Sequence, residues 1–209
     1  MNIQTVLDVG ANEGQFARRV RSLLPEATIY SFEPLPHVFN ILAKLQTHDS
    51  RFEAINAGLG DELGEVDFEE NSFSPSSSML GVTQRGIGAF PHTSRTKKIR
   101  VSMTTLDNWA ERRNLQTPML VKMDVQGFED RVIRGGARTI RRSDVVVSEV
   151  SFVSLYNDQP LFGQIYTSMG ALGFRFAGTI ENLNDPGTGE ILQADAIFIA
   201  SGSELGLRF

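Results

Sequence analysis

The sequence contains no cysteine, and its 209 residues include only one tryptophan and three histidines. The absence of cysteine excludes disulfide frameworks, cysteine-ligated zinc, iron–sulfur clusters and thiol nucleophiles. The histidines, His37, His48 and His92, lack the i, i+4 spacing of a helical metal site. The sequence therefore has neither a cysteine-based nor a paired-histidine metal motif.

Positive charge is in the minority, because 20 basic side chains stand against 25 acidic ones and give a net charge of −5. This sign argues against a nucleic acid partner. No apolar run approaches the roughly 18 residues that a membrane span requires. The N-terminus also lacks a basic region followed by an apolar stretch and a cleavage site. We therefore expect a cytoplasmic protein without a membrane span.

The chain instead contains alternating β-rich and helical segments. This rhythm is typical of an α/β protein with a doubly wound, mainly parallel sheet. The predicted strands are Thr5–Val9, Thr28–Phe32, 52–56, Met119–Met123, 145–148, 174–177 and 196–200, and the predicted helices are 16–24, 36–46, 106–113, 128–140 and 161–172.

A stretch rich in glycine, serine, proline and threonine interrupts this rhythm at residues 57–98. It is too long for an ordinary connection, which favours a functional or mobile segment. Two segments with alternating polar and apolar residues, at 65–69 and 99–103, are predicted to pair as a small antiparallel unit of two strands. We therefore predict a single domain over residues 1–209, with an insertion at about 61–104.

Four predicted parallel strands end in a carboxylate at or next to the last residue, namely Asp8, Glu33, Asp124 and Glu149. Each alone is explained by capping of the following helix. The carboxyl ends of parallel strands meet at one edge of the sheet, where open α/β proteins bind their ligands. The convergence of the four acids therefore indicates a site at that edge.

A glycine loop at residues 10–14 joins the first strand to the first helix and allows backbone N–H groups to approach a ligand. The dinucleotide fingerprint requires a glycine where this chain has Asn12. Asp8 would repel a pyrophosphate but attract an ammonium group. Glu33, about 20 residues beyond the loop, has the usual position of an acid that binds ribose hydroxyls. An amino acid joined to a nucleoside describes S-adenosylmethionine.

Six segments between residues 5 and 150 have an order and spacing that resemble one protein family. They are VLDVGANEG at 6–14, FEP at 32–34, NAGLG at 56–60, TLD at 105–107, VKMDVQGFE at 121–129 and SEV at 148–150. The sequence resembles the FkbM-type S-adenosylmethionine-dependent methyltransferases. The resemblance implies a Rossmann-like class I fold whose seven-stranded, mainly parallel sheet has an antiparallel last strand. It also implies methyl transfer, usually to a hydroxyl of a sugar, glycan or secondary metabolite.

The resemblance also assigns residues to the cofactor, S-adenosyl-L-methionine. Glu33 would bind the ribose. Asp61 would lie near the adenine with Gly60, where its carboxylate either accepts from an amino group or caps a turn. The loop residues that would hold the methionine end are Asp8, Gly10, Asn12 and Gly14.

Lys122 and Asp124 lie two residues apart near a strand end, so their side chains project to one side. Methyl transfer to a hydroxyl requires alignment of the reacting atoms and a base. Asp124 is the candidate base, and Lys122 orients it or stabilises oxyanion character. Glu149 binds acceptor hydroxyls or shares the base role. The alternative is a buried ion pair that braces the sheet.

Asp124 and Glu149 also suggest a divalent ion. Because no dense ligand motif accompanies them, we predict no metal. The insertion offers further candidates for the acceptor side. Ser77 and Ser78 face the cofactor or the acceptor, or belong to a flexible loop, and His92 is a candidate general base. The basic residues that either attract an anionic acceptor or form a solvated loop are Arg85, Arg95, Lys97 and Lys98.

Two rival functions remain open, a non-catalytic binding module with this fold and an NAD-dependent oxidoreductase. Relatives usually have helical residues before the first strand, often as part of a lid over the cofactor. Here the first strand begins at Thr5. Either the insertion or a partner subunit in a homo-oligomer supplies this cover, or the start of the chain is truncated.

Overall fold

The computed structural model describes residues 2–71 and 74–202. None of the helices in those ranges has the length and apolarity needed to cross a membrane. The strands are β1 (Thr5–Val9), β2 (Thr28–Phe32), β3 (Phe52–Ile55), β4 (Gly58–Leu59), β5 (Gly64–Asn71), β6 (Thr96–Thr104), β7 (Met119–Met123), β8 (Val145–Ser151), β9 (Phe174–Asn184) and β10 (Ile191–Ala200). The α-helices are α1 (Gln15–Leu23), α2 (Pro36–Leu42), α3 (Gln84–Ala89), α4 (Leu106–Ala110), α5 (Glu129–Gly135), α6 (Ala137–Ile140) and α7 (Phe162–Ala171).

Seven strands form the main sheet in the order β3-β2-β1-β7-β8-β10-β9. The first five are parallel, whereas β10 runs antiparallel to both of its neighbours. Every residue of β1 is buried, as expected for a parallel strand covered on both faces. The predicted α/β class, the seven strands and the antiparallel last strand are confirmed.

The position of β1 determines where the acidic strand ends meet. This strand pairs with β2 on one side and with β7 on the other, so the crevice at their carboxyl ends is a topological switch point. In this register Asp8 lies opposite Ser31 on β2 and opposite Lys122 on β7. The sheet therefore places a lysine directly beside the first of the predicted acids.

A second sheet of three strands, in the order β4-β6-β5, lies in and beside the predicted insertion. β5 and β6 are antiparallel, which confirms the predicted pairing and extends it from Gly64↔Met103 to Asn71↔Thr96. The short helix α3 is absent from the sequence prediction because its two glycines disfavour a helix. Thr83 caps α3 by accepting from the Gly86 N–H at 3.1 Å.

Several predicted bounds are wrong, and the largest differences are in one helix and in the last two strands. The helix predicted over 128–140 is two helices, α5 and α6, with Gly136 between them. The last two strands are also longer than 174–177 and 196–200, because β9 and β10 form an extended hairpin. Most of β9 is exposed beyond Phe174, so hydrophobic periodicity does not mark its outer half.

The contact between Gly135 and Gly60 generates a stability prediction. A Cβ atom at Gly135, the last residue of α5, would lie 1.9 Å from the Gly60 carbonyl oxygen. The obstacle is backbone, so rotation of a side chain cannot relieve it. Gly135→Ala should lower the free energy of unfolding by about 1–3 kcal/mol, the usual scale of overpacking. Chemical denaturation measures the change.

Gly163→Ala is the matched control, because a Cβ at this position in α7 would meet nothing within 4 Å. Its free energy of unfolding should stay within about 1 kcal/mol of the wild-type value, since alanine is the better helix former. Equal effects of the two substitutions would contradict the close approach at Gly135.

Candidate active site

A cavity of about 370 Å³ opens at the carboxyl ends of β1, β2 and β7. Its volume lies within the range of small-molecule sites. The main sheet supplies its floor, and the insertion and the β9–β10 hairpin supply further walls. The polar and charged residues that line it are Asn12, Gln15, Arg19, Glu33, Ser74, Ser77, Lys122, Asp124, Gln126, Glu181 and Asp195.

The glycine loop enters the cavity through Gly10, Ala11 and Asn12. Gly10 has a φ of +79°, and a Cβ there would lie 1.9 Å from the Asp124 carbonyl oxygen. Only glycine therefore lets the loop pass so close to the chain that follows β7. Gly14 also has a positive φ, but its α-carbon faces the side chains of Leu42 and Leu45. Its role is thus to pack the loop against α2 and the turn that follows it.

Glu33 lies at the end of β2, buried, with its carboxylate on the glycine loop. Oε2 accepts from the Asn12 N–H at 3.0 Å, and Oε1 accepts from the Leu35 N–H at 2.8 Å. Burial raises the pKa of Glu33 to about 7, although the two N–H donors oppose the shift. The structure therefore brings Gly10, Asn12 and Glu33 together in one wall of the cavity.

Lys122 and Asp124 form an ion pair on the cavity floor, with Nζ 2.9 Å from Oδ2. Burial disfavours the charge of Lys122, but the carboxylates of Asp124 and Asp8 outweigh it and raise the pKa of Lys122. Burial likewise favours the protonated form of Asp124. The charge and hydrogen bond of Lys122, with a hydrogen bond from Gln126, outweigh this effect and hold the pKa of Asp124 below its usual range. The pair is therefore ionised.

Two further carboxyl groups lie behind and beside this pair. Glu149 lies outside the residues that line the cavity, and burial, followed by the charge of Asp124, raises its pKa well above the usual value. Asp195 on β10 lies opposite Glu149 in the sheet and does line the cavity. The sequence prediction omitted Asp195 because it lies inside an antiparallel strand. Across residues 2–71 and 74–202, no group of three or more histidine, aspartate or glutamate side chains is arranged to hold a metal ion.

Four residues predicted to contact the cofactor lie outside the lining of this cavity, and the first is Gly14, which packs against Leu42 and Leu45. Asp8 is fully buried beneath it, where Oδ2 accepts from the Ser31 hydroxyl at 3.0 Å and Oδ1 has no partner among the described residues. Gly60 packs against Gly135, and Asp61 pairs with Arg134 at 3.0 Å. Residues 57–59 line the cavity instead, because the chain turns away after β4.

The predicted acceptor-side residues of the insertion do not converge. Ser77 lines the main cavity, and its hydroxyl accepts from the Asn71 N–H at 2.9 Å. Ser78 instead donates to the Gln126 carbonyl oxygen at 2.6 Å. His92 lines a separate cavity of about 180 Å³ beside Tyr156. The basic side chains are dispersed, with Lys98 near Glu69, Arg85 on Glu190, and Arg95 and Lys97 along a shallow groove.

The family model of the methyltransferase FkbM domain matches residues 8–176 of the chain. The chain belongs to the FkbM methyltransferase family. The 2-O-methyltransferase NoeI of Sinorhizobium fredii (strain NBRC 101917 / NGR234) is 29% identical to this FkbM domain over 160 residues, which are 74% of the chain and 66% of NoeI.

Solved structures show the same fold. Methyltransferase FkbM from Methylobacillus flagellatus KT matches with a TM-score of 0.57 at 11% identity, over 95% of this chain and 44% of that chain. Aeropyrum pernix fibrillarin, solved with S-adenosyl-L-methionine bound, matches with a TM-score of 0.53 at 11% identity, over 93% of this chain and 66% of that chain. The FkbM domain described here therefore spans just under two thirds of NoeI and under half of the M. flagellatus chain.

Two residues of this FkbM domain shape the loop after β7 and received no role in the sequence prediction. Glu129 is buried at the start of α5, and its Oε1 accepts from the N–H groups of Val125 at 3.0 Å and Gly127 at 3.3 Å. Gln126, inside the same turn, contacts both Asp124 and Glu149. Both lie in the segment 121–129, which resembles the family, and this resemblance is the feature of the sequence that could have pointed to them.

The buried acids of the FkbM domain predict an unusual dependence of stability on pH. Burial raises the pKa of Glu129 from 4.5 to about 7, and Glu33 shifts equally. Between these values the folded state holds protons that the unfolded chain has released. The contribution of these two acids to stability is therefore fullest below about pH 4.5 and is lost as the pH rises towards 7. Asp124, with a lowered pKa, and Lys122, with a raised one, titrate outside this window.

We expect urea denaturation to give a smaller free energy of unfolding at pH 7.5 than at pH 5. Glu129→Gln should reduce this difference by at most about 3 kcal/mol, because an amide oxygen accepts the same N–H groups without titrating. Glu62→Gln, at an exposed position, is the control and should retain the full wild-type difference. Wild-type stability that rises over this range would contradict the prediction.

Proposed function

We propose that this FkbM domain binds S-adenosylmethionine in the 370 Å³ cavity and transfers its methyl group to a hydroxyl of a carbohydrate or other small-molecule acceptor. One observation carries the proposal: the cavity is lined both by the glycine loop with Glu33 and by the Lys122–Asp124 pair. Family membership supports methyl transfer. NoeI, by its name a 2-O-methyltransferase, supports a hydroxyl oxygen as the target.

The charges in the lining fit a cationic cofactor. Glu33, Asp124, Glu181 and Asp195 carry carboxyl groups, whereas Lys122 and Arg19 are the basic side chains among the described lining residues. Burial raises the pKa values of Glu33 and Asp195. A bound cation would lower both again, because an opposite charge nearby favours the ionised form. The loop residues and Glu33 would hold the amino acid and the ribose, and residues 57–59 the adenine.

The chain's own chemistry centres on Asp124. When bound, S-adenosylmethionine supplies an electrophilic methyl group on a sulfonium sulfur, which leaves as a neutral thioether. Asp124 accepts the proton that the acceptor hydroxyl loses as its oxygen bonds to the methyl carbon. Lys122 keeps Asp124 ionised and fixes one carboxylate oxygen, so the base is ready at neutral pH. The walls position the hydroxyl, which is a large part of the barrier reduction.

The side of the cavity away from Glu33 favours a hydroxyl-rich acceptor. Asp195 lines this side, and Arg19 and Glu181 form an ion pair of 2.6 Å there. Carboxylate and guanidinium groups bind hydroxyls through directional hydrogen bonds. We therefore place the acceptor between Asp124 and the β9–β10 hairpin, and a carbohydrate is the class that best matches this polarity.

The ribose role of Glu33 predicts a loss of cofactor affinity on substitution. Glu33→Gln removes the charge and should weaken binding of S-adenosylmethionine by about 1–3 kcal/mol, the scale of charge-assisted hydrogen bonds. Isothermal titration calorimetry measures the affinity, with NAD as a ligand that should not bind. Asp61→Asn is the matched control and should bind as the wild type does. Wild-type affinity in Glu33→Gln, or an equal loss in Asp61→Asn, would reject this arrangement.

The base role of Asp124 predicts that its substitution impairs methyl transfer but not cofactor binding. Asp124→Asn should keep the cofactor affinity within about threefold and lower methyl transfer by about 10²-fold or more, the scale of general base catalysis. The assay follows labelled methyl groups from S-adenosylmethionine into a cell extract and then into the acceptor isolated from it. Full transfer by Asp124→Asn would remove Asp124 as the base.

A further inference from the structure

We propose that Gln126 is a positioning residue. Tyr156 fixes the side-chain amide of Gln126, and this amide orients the Asp124 carboxylate and separates it from Glu149. The inference rests on the proposed function, because it concerns the group that would act as the base. It assigns to Gln126 and Tyr156 the orientation of the Asp124 carboxylate, which the acids do not provide themselves.

The Gln126 amide nitrogen donates to two acids at once. Nε2 lies 2.8 Å from Asp124 Oδ1, and 3.1 and 3.2 Å from the two carboxylate oxygens of Glu149. Lys122 binds the other oxygen of Asp124, Oδ2, at 2.9 Å. Each Asp124 oxygen is therefore held by a different donor, which fixes the plane of the carboxylate and leaves acceptor capacity on both oxygens.

Tyr156 holds the oxygen end of the amide. Its hydroxyl donates to Gln126 Oε1 at 2.7 Å, so the amide oxygen faces the phenol and the nitrogen faces the acids. Burial and the charges of Glu149, Asp124 and Glu129 raise the pKa of Tyr156, so the phenol remains a donor. A rotation of the amide by 180° would point its oxygen at Asp124 and Glu149. The ionised Asp124 disfavours that orientation, and the Tyr156 hydroxyl holds the amide oxygen in the observed one.

The backbone around Gln126 is also held in an uncommon conformation. Gln126 has a φ of +53° and Gly127 a φ of +94°. A left-handed conformation at a residue other than glycine is strained and persists only when its surroundings impose it. Here Ser78 donates to the Gln126 carbonyl oxygen, and the Glu129 carboxylate accepts from the N–H groups on either side. The fold thus uses the insertion and α5 to keep this side chain under the strand ends.

A neutral amide is the group that this position requires. It donates to two acids without adding a charge, whereas a further carboxylate would repel both and raise their pKa values. The ionisable groups around Asp124 are already predominantly acidic. They are Asp8, Lys122, Glu129, Glu149, Tyr156 and Asp195, with Arg19 and Glu181 at the cavity wall.

The test follows the ionisation of Asp124 in the intact chain by ¹³C NMR of labelled aspartate carboxyls, with the signal assigned from its absence in Asp124→Asn. Gln126→Met removes one of the two donors to Asp124, so the pKa of Asp124 should rise. Gln126→Glu should raise it as well, because it adds an acid, and it serves if the methionine variant does not fold. Tyr156→Phe should give a smaller rise, since only the orientation of the amide is released.

Gln116→Glu and Tyr166→Phe are the matched controls at exposed positions, and both should leave the titration of Asp124 unchanged. A purely structural Gln126 would lower thermal stability without moving this pKa. An unchanged Asp124 titration in a folded Gln126 variant would therefore overturn the proposal, and an unchanged titration in Tyr156→Phe would overturn the role of Tyr156.

Methyl transfer distinguishes this inference from the function on which it rests. The Gln126→Met variant should transfer labelled methyl groups about tenfold or more slowly, with cofactor affinity unchanged. A wild-type chain that neither binds S-adenosylmethionine nor transfers methyl groups would reject the proposed function but leave the titration result intact. Wild-type transfer with equal transfer by Gln126→Met would reject the positioning role alone.

Discussion

At the carboxyl edge of the sheet, Lys122 faces the carboxyl groups of Asp8, Asp124, Glu149 and Asp195. A single ammonium group cannot neutralise four acids, and uncompensated charges are expensive to bury. The ionised form is concentrated on Asp124, which pairs with Lys122 directly, while the pKa values of the other three are raised. Asp124 is therefore the ionised carboxylate of this group, and a nearby cation would favour ionisation of the other three.

Uncharged hydrogen-bond donors supply the contacts to the buried carboxyl groups that Lys122 does not supply. Backbone N–H groups hold Glu33 and Glu129, the Ser31 hydroxyl holds Asp8, and the Gln126 amide holds Asp124 and Glu149. Such donors stabilise a carboxylate without bringing a second cation that would repel a sulfonium ligand. Their arrangement depends on sharp turns after β1 and β7, which pass each other at the α-carbon of Gly10. The same turns that bring the backbone close at Gly10 therefore place these donors on the carboxyl groups.

The main sheet alone does not enclose the cavity. The insertion adds Phe68, Ser77 and Met79 to one wall, and the β9–β10 hairpin adds Glu181 and Asp195 to another. The close approach of Gly135 to the Gly60 carbonyl fastens α5 to the chain after β4, so the loop that carries Gln126 and the second sheet are braced together. Both walls are therefore joined to the main sheet, the hairpin through β10 and the second sheet through the contact with α5.

The sequence by itself determined the strands of the parallel sheet, because buried strands leave short runs such as Thr5–Val9 that local pattern alone reveals. It also determined that Glu33 and Asp124 meet in one crevice, since parallel strands share an edge. Tertiary structure decided the rest. The Gln126 amide meets Glu149 and Tyr156 across sequence separations of 23 and 30 residues, Asp61 turns to Arg134, and Asp195 enters from an antiparallel strand. Hydrophobic periodicity along the sequence does not predict such contacts, because each contact depends on where a distant segment packs.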